Sequence, residues 1–495
     1  MFNTPWFPAW RSRLAPAGRR CSHSLGPLRQ ATLSQIEEHL AGALPPDLLQ
    51  KPALGDHSRE QVFTLVRTWW CWVWQVLQAN TSCRQVVRQV QALLALVQGP
   101  ELDDNNSAYC QARAKLPLPL LEQLFAASAA SAEGRACSDS LLQGRKLKAV
   151  DGSGTHLSDT PANRAAFPPN KGQHPGSGFP YLRVVALFSA ASGALLAKVT
   201  GSLRSCELSL FLAGLRSALH PGDILLGDRS YGVFILAAVL QLVGVDLIAR
   251  VSTRNRKVDF RQASKRLGPH DALFKWSKPK TPSPMISLLD WLGLPPQITV
   301  RVLHIRLTKP GFRTHHLTLV TTLLDPQLYP SEELIEAYAR RWRMELCLDD
   351  LKTTLGMQSL HCLSPKMVDK ELLLFLTAHN FLRWIMAEAA QSQNVELERI
   401  SFKGSLDAFR QWTQALAQLG HSKNKRRQRR QLWERLLRTL ATDLVPDRPG
   451  RREPRAVKKR SKYPHLNKPR HQYREPWSRN KRRRLARAKR RTSLI

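Results

Sequence analysis

Between Gln30 and Ala130, apolar residues recur three and four positions apart in "TLSQIEEHLAGAL", "REQVFTLVRTWWCWVWQVL", "SCRQVVRQVQALLALV" and "LPLPLLEQLFAASAA", with Pro, Asn and Gly between them. That spacing predicts a set of short amphipathic helices. Arginines scattered along them suit a small DNA-binding bundle of the helix-turn-helix kind. Helices that only pack against the rest of the chain fit the pattern equally well.

From Arg145 the period changes. "KLKAVDGSG" is a short apolar run that predicts a buried strand ending at Asp151. "YLRVVALFSA" and "GALLAKVTGS" are two more, joined around Ala191-Ser192-Gly193 as a hairpin. "CELSLFLAGLRSAL" then reads as a helix, "GDILLGDRSYG" as a strand ending at Asp228, "VFILAAVLQLVG" as a helix and "VDLIARVS" as a strand. Three strands, then helix, strand, helix, strand is the element order of a ribonuclease-H-like fold. Arg254 to about Pro296 is basic and proline-rich, and reads as an insertion holding Trp276 and Trp291. "QITVRVLHIRL" and "THHLTLVTTLL" return to strands, and "KELLLFLTAHNFLRWIMAEAA" and "LDAFRQWTQALAQL" to packing helices.

The chain has 495 residues, enough for two or three domains, and its 43% hydrophobic content is that of a globular protein. The formal net charge of +37 is not ordinary and points to a polyanionic partner, nucleic acid first. His421 to Ile495 holds 28 Lys and Arg against 5 Asp and Glu, more than half of that excess. Such a block repels itself and stays extended until phosphates neutralise it. Eight cysteines without a C-x2-C pair suggest neither a zinc site nor a disulfide framework, which fits a reducing cytoplasm. No apolar run reaches membrane-spanning length, so no membrane partner is expected. The first thirty residues hold five arginines and no acid; because "PWFPAW" breaks any amphipathic helix, they read as a basic arm.

Candidate chemistry rests on three acids. In a ribonuclease-H-like fold the first and fourth strands are neighbours, so the ends carrying Asp151 and Asp228 should meet. Glu345, on a helix packed across that edge, completes a cluster of hard oxygen ligands. Two Mg2+ ions roughly 3.5–4 Å apart are the use such a cluster has at a phosphodiester. Singly, each acid has a bland reading as a turn former, a strand-end cap or one charge on a polar helix. Asp159 reads as a turn cap and Asp350 points off the Glu345 face, whereas Asp349 shares that face and stays a rival on spacing alone.

The stretch "YARRWRMELCLDDLKTTLGM" carries Tyr338, Arg341, Glu345 and Lys352 at steps of three, four and seven, which on one helix share a face. A solvated face with an Arg341–Glu345 pair needs no function. The functional alternative has Glu345 bind metal while Arg341, Lys352 and Tyr338 hold the DNA backbone. The spacing Y-x2-R-x3-E-x6-K resembles the YREK signature of DDE transposases from bacterial insertion sequences, the IS-four family. "VDGSG…SDTPANRAAFP", "GDRSYG", "EPRAVKKR" and the N-terminal "SCRQVVRQVQALLAL…NNSAYCQARAKLP" are similar to that family too, so the likeness covers about residues 25 to 470.

The resemblance implies a catalytic and metal-binding triad of Asp151, Asp228 and Glu345, which favours Glu345 over Asp349. It implies DNA contacts by Tyr338, Arg341, Lys352 and Arg229, and two Mg2+ ions with Mn2+ as a substitute. It further implies a β-rich insertion and a homodimer on paired terminal inverted repeats, acting in the cytoplasm on nucleoid DNA. The tryptophan that in relatives stacks a flipped base has no counterpart in "THHLTLVTTLL", which leaves Trp276 or Trp291.

The expected layout is a basic arm over 1–29, a helical DNA-binding domain over 30–140 and a ribonuclease-H-like catalytic domain over 141–390. The insertion falls at about 252–300, and a helical region with a basic tail covers 391–495. The expected activity is strand cleavage at transposon ends and strand transfer into target DNA. A structure-specific nuclease of the same fold, or a non-catalytic DNA-binding protein derived from a transposase, is the alternative.

Overall fold

A computed structural model describes residues 40–446, apart from 46, 59–60, 79–80, 97–98, 100, 136–140, 169–177, 252–257, 307–315 and 420–422. The N-terminal arm and the basic tail beyond residue 446 lie outside the described residues.

The helical periodicity of the first part is realised as α1 (Leu65–Leu77), α2 (Cys83–Leu96), α3 (Ser107–Lys115) and α4 (Leu118–Gly134). Thr64 caps α1 through its side chain, and Pro117 opens α4, where a missing N–H costs nothing. α1 is apolar on nearly every side and is accordingly buried: Trp69, Trp70 and Trp72 are each 1% exposed.

After β1 (Leu141–Leu142) come β2 (Arg145–Leu157), α5 (Pro161–Ala166), β3 (Tyr181–Ser189), β4 (Leu195–Ser202), α6 (Glu207–Gly214), β5 (Ile224–Gly227), α7 (Phe234–Leu242) and β6 (Asp246–Arg250). Apart from β1 and the short helix α5, which the sequence does not predict, the order matches the sequence expectation. β3 lies antiparallel between β2 and β4, while β5 lies parallel to both β2 and β6. β5 reads Ile-Leu-Leu because a central parallel strand is covered on both faces.

The segment expected as an insertion contributes β7 (Lys265–Gly268), β8 (Asp271–Ser277) and α8 (Leu288–Gly293), followed by β9 (Gln297–Arg306) and β10 (His316–Thr321). These strands extend the same sheet, because β10 pairs antiparallel with β6. The spatial order is β4-β3-β2-β5-β6-β10-β9-β8-β7. Next come α9 (Ser331–Ala339), α10 (Arg341–Asp349), β11 (Ser359–Leu360), α11 (Pro365–Gln393), α12 (Phe402–Leu419) and α13 (Arg426–Thr442).

Alternation along the strands divides the sheet's side chains between two cores. Leu147, Ala149, Ile224, Leu226 and Ile248 face a core shared with α1, α4 and α11. Val150, Leu225, Leu247 and Ala249 face a second core with α6, α7 and Trp291. α1 and α4 thus share a core with the sheet, while α2 and α3 pack a small cluster with Phe63 and Cys71, around Val86, Val90, Leu94 and Tyr109.

The 29-residue α11 is buried along most of its length and grips the β3–β4 turn. Asn380 Oδ1 accepts from Leu195 N at 2.8 Å, and its Nδ2 donates to Leu195 O at 3.0 Å. Arg383 Nε donates to Ser192 O at 2.6 Å, and its guanidinium occupies the space beside Gly193 that a Cβ would need. Gly193 also has φ +68°, so glycine is required there twice over. Asn380→Leu keeps the volume but strands the Leu195 N–H and C=O in the core. It should destabilise the protein by about 1–3 kcal/mol, read as a lower urea midpoint; an unchanged midpoint would remove the clamp.

Candidate active site

β5 pairs with β2 only across Leu147↔Ile224, Lys148↔Leu225 and Ala149↔Leu226, and then it ends. β2 runs on to Leu157 and gains β11 as a parallel neighbour only at His156 and Leu157. Residues 150–155 therefore border an opening in the sheet. Asp151 lies on it, not at a strand end as the sequence suggested but inside β2, in register with Ala186 of β3. The β period continues past Asp151 because β3 goes on pairing with it as far as His156. Asp228 is the first residue beyond β5. By alternation both aspartates belong to the face that carries α9 and α10.

The acids share one field. Burial pushes the Asp151 carboxyl up to about 6, with Glu345 and Asp228 adding to the rise against the Gly152 N–H and the Arg341 guanidinium. Gly152 N donates to Asp151 Oδ1 at 2.9 Å. Asp228 Oδ1 accepts from Ser230 N at 2.7 Å and from Ser230 Oγ at 2.5 Å. Glu345 Oε1 accepts from Arg341 Nη2 at 2.9 Å. With each acid engaged by a protein donor, no three His, Cys, Asp or Glu side chains among the described residues draw together as a metal cage. The donors themselves, three carboxylates whose charges oppose one another at one opening, fit a hard divalent cation.

The single helix expected from Tyr338 to Met357 is three pieces. α9 ends at Ala339, α10 starts at Arg341, and Asp350–Thr354 forms a π-helical turn closed by Leu355 N to Asp350 O at 2.9 Å. Tyr338 and Arg341 are buried, and the guanidinium hydrogen-bonds the Tyr338 hydroxyl as well as Glu345. Arg341 is 7% exposed and its Nε has no partner among the described residues, so the pair with Glu345 is not the solvated one that spacing allowed. The wider π turn takes Lys352 out of the 3.6-residue register. Half-buried Lys352 and exposed Arg229 carry no side-chain hydrogen bond or ion pair to any described residue. Asp349 is exposed and accepts from Thr353 Oγ1 at 2.9 Å, apart from the cluster. Asp159 pairs with Arg164. Trp291 is 4% exposed in the second core, which removes it as a base-stacking surface, and Trp276 is half-buried on β8.

Two neighbours of the acids carry no sequence motif. A Cβ on Gly152 would lie 2.2 Å from Glu207 Cδ, so the Glu207 carboxylate rests on the backbone beside Asp151. The buried Tyr231 has Glu207, Asp228 and Asp151 as its nearest charges.

A family model described as the transposase DDE domain matches residues 143–381, which hold every acid of the opening. The chain is 28% identical over 331 residues to the transposase InsG for insertion sequence element IS4 of Escherichia coli (strain K12), covering 65% of this chain and 70% of that one. A solved structure, a cryo-EM piggyBac transposase synaptic complex with hairpin DNA, aligns with a TM-score of 0.38 at 10% identity over 84% of each chain. The class is that of DDE transposases, enzymes of DNA transposition. Within it, the chain is similar to the transposase of an IS4 element.

Because burial and the neighbouring acids hold the Asp151 carboxyl near 6, its charge opposes folding at neutral pH. That cost is fully present above about 6 and vanishes below the ordinary carboxylate value of 3.8. In metal-free protein Asp151→Asn should therefore raise stability at pH 7.5, by on the order of 1–2 kcal/mol, with the gain fading as pH falls through 6 toward 4. Melting temperatures of both proteins across that range are the measurement; a pH-independent difference would contradict the shared field.

Proposed function

We propose that the opening between β2 and β5 is the centre where transposon-end DNA is cut and joined to target DNA. The observation that supports this most is the convergence of Asp151, Asp228 and Glu345 from two strands and a helix on one opening. We read the strand order β4-β3-β2-β5-β6 as a ribonuclease-H-like core with β7–β10 as its β-rich insertion. In this reading the three acids hold two divalent cations, Mg2+ with Mn2+ as a substitute. Bound there, the cations supply Lewis-acid activation of an attacking oxygen and charge neutralisation at the leaving one. Glu345, which accepts from Arg341, would hold a cation when one is bound, and the guanidinium would then be free for a phosphate. Tyr338 orients that guanidinium through its hydroxyl, while Lys352 and Arg229 meet the flanking backbone. Lys352 and Arg229, at least partly accessible and without a side-chain partner among the described residues, suit that task.

The helices over 30–140 and the basic tail are proposed to carry further DNA contacts. Two chains act together as a homodimer on paired terminal repeats, on nucleoid DNA in the cytoplasm. Among the described residues no helix is long and apolar enough to cross a membrane.

Asp151→Asn, Asp228→Asn and Glu345→Gln should each abolish Mg2+-dependent cleavage of end-containing DNA while end binding persists, since neutral amides are poor Mg2+ ligands. Lys352→Ala should lower the single-turnover cleavage rate by orders of magnitude at an unchanged melting temperature. A wild-type rate in any of the four removes that residue from its role. Arg341→Ala is a less informative probe, because removing a buried guanidinium also costs packing.

Truncation before His421 should weaken DNA binding and flatten its salt dependence, because counterion release scales with the phosphates contacted. Affinities of full-length and shortened protein across a salt series decide it. Equal slopes would place the tail off the DNA.

A further inference from the structure

We propose that Glu207 is a fourth carboxylate of the cation site, reaching it through the opening from the sheet face opposite α10. This rests on the reading that Asp151, Asp228 and Glu345 hold the cations.

Glu207 opens α6, on the face of the second core. Alternation aims the Cα–H of Gly152 toward that same face, away from the Asp151 side chain. Along most of a sheet the ladder would separate the two sides. Here β5 has already ended, so nothing of the ladder stands between Glu207 and the aspartates. The Glu207 carboxylate lies over Gly152, with both oxygens 2.5 Å from where a Cβ would sit. Any other residue at 152 would expel it. Glycine at this non-turn position leaves the room that the carboxylate takes.

Two ordinary roles for Glu207 fall short. An acid in the first turn of a helix is favoured by the helix dipole, but that requires no contact with β2. Arg183 is its nearest opposite charge, yet that guanidinium donates to Ser205 O at 2.5 Å and forms no ion pair with Glu207. Among the described residues no hydrogen bond or ion pair holds the Glu207 carboxylate. A half-buried, unpartnered carboxylate beside Asp228 is costly without a cation.

Tyr231 points to the same place independently. It is 0% exposed, and its hydroxyl has no hydrogen-bond partner among the described residues. The charges around that hydroxyl are Glu207, Asp228 and Asp151. A buried donor without a partner among three acids belongs to a site completed by a ligand. Four acids then serve the cations, with Glu345 and Glu207 approaching from opposite faces and Asp151 and Asp228 between them.

The test is Mn2+ binding to the full chain without DNA, followed by the paramagnetic resonance signal of free Mn2+. Glu207→Gln should weaken the affinity by about tenfold or more while end-DNA binding without metal is unchanged. Wild-type affinity in Glu207→Gln, alongside lost binding in Asp228→Asn, overturns the role of Glu207 and leaves the triad standing. Wild-type affinity in both variants overturns the triad reading as well. If Glu207→Gln does not fold, Glu207→Asp, which keeps the charge but withdraws it by one methylene, takes its place. Weakened Mn2+ binding is again expected, and wild-type affinity overturns the proposal.

Discussion

The pairing of β2 with β5 lasts three residues, and the chemistry of the protein depends on where it stops. Up to that point β5 is apolar on both faces and fully covered, with Ile224, Leu225 and Leu226 each 0% exposed, and the one charge of the paired β2 residues, Lys148, is buried against Asp223. A carboxylate within that ladder would be buried without a partner, at a cost no fold of ordinary stability could carry. Just past it, where β5 has turned away and β2 continues alongside β3, an acid inside β2 and one directly beyond β5 can still reach a ligand. Asp151 and Asp228 occupy those two places. The sheet supplies rigidity on one side of the opening and access on the other.

Around the opening the charges are arranged in opposition. Burial, then Glu345 and Asp228, raise the proton affinity of Asp151, and the buried Arg341 moderates the rise. Arg341 is held by Tyr338 and Glu345, and its remaining Nε is unpaired among the described residues. A guanidinium so placed costs free energy at rest and is ready for an anion, a state kept only because the surrounding core over-determines its position. The break between α9 and α10 and the π-helical turn after α10 lie on either side of Glu345, where regular hydrogen bonding gives way to side-chain placement.

The platform beneath is stiff for a separate reason. α11 runs under the sheet for 29 residues, sets Phe381 edge-on to Trp69 and stacked on Trp70 of α1, and clamps the β3–β4 turn with Asn380 and Arg383. The N-terminal helices thus do structural duty whatever else they bind. Their surface arginines, Arg84 and Arg88 on α2, remain exposed.

Much of this was legible in the residues alone. The switch from a 3.6 to a 2 period near Arg145, the hairpin around Gly193 and the succession of strands and helices follow from local preferences that burial did not override. The ordered acids Asp151, Asp228 and Glu345 stood out for the same reason: their spacing is a property of the chain. Spacing could not say that β2 continues beyond Asp151, since a strand's length depends on whether a neighbour goes on pairing with it. Nor could it say that the inserted strands join the central sheet, that Arg341 is buried or that a π turn displaces Lys352. Glu207 is the plainest case, being one acid at an unremarkable helix start, 56 positions from Asp151 along the chain. Only the tertiary structure lays it over Gly152, because contacts across an opening in a sheet are set by which strands pair and where they part, and no period within either segment encodes that.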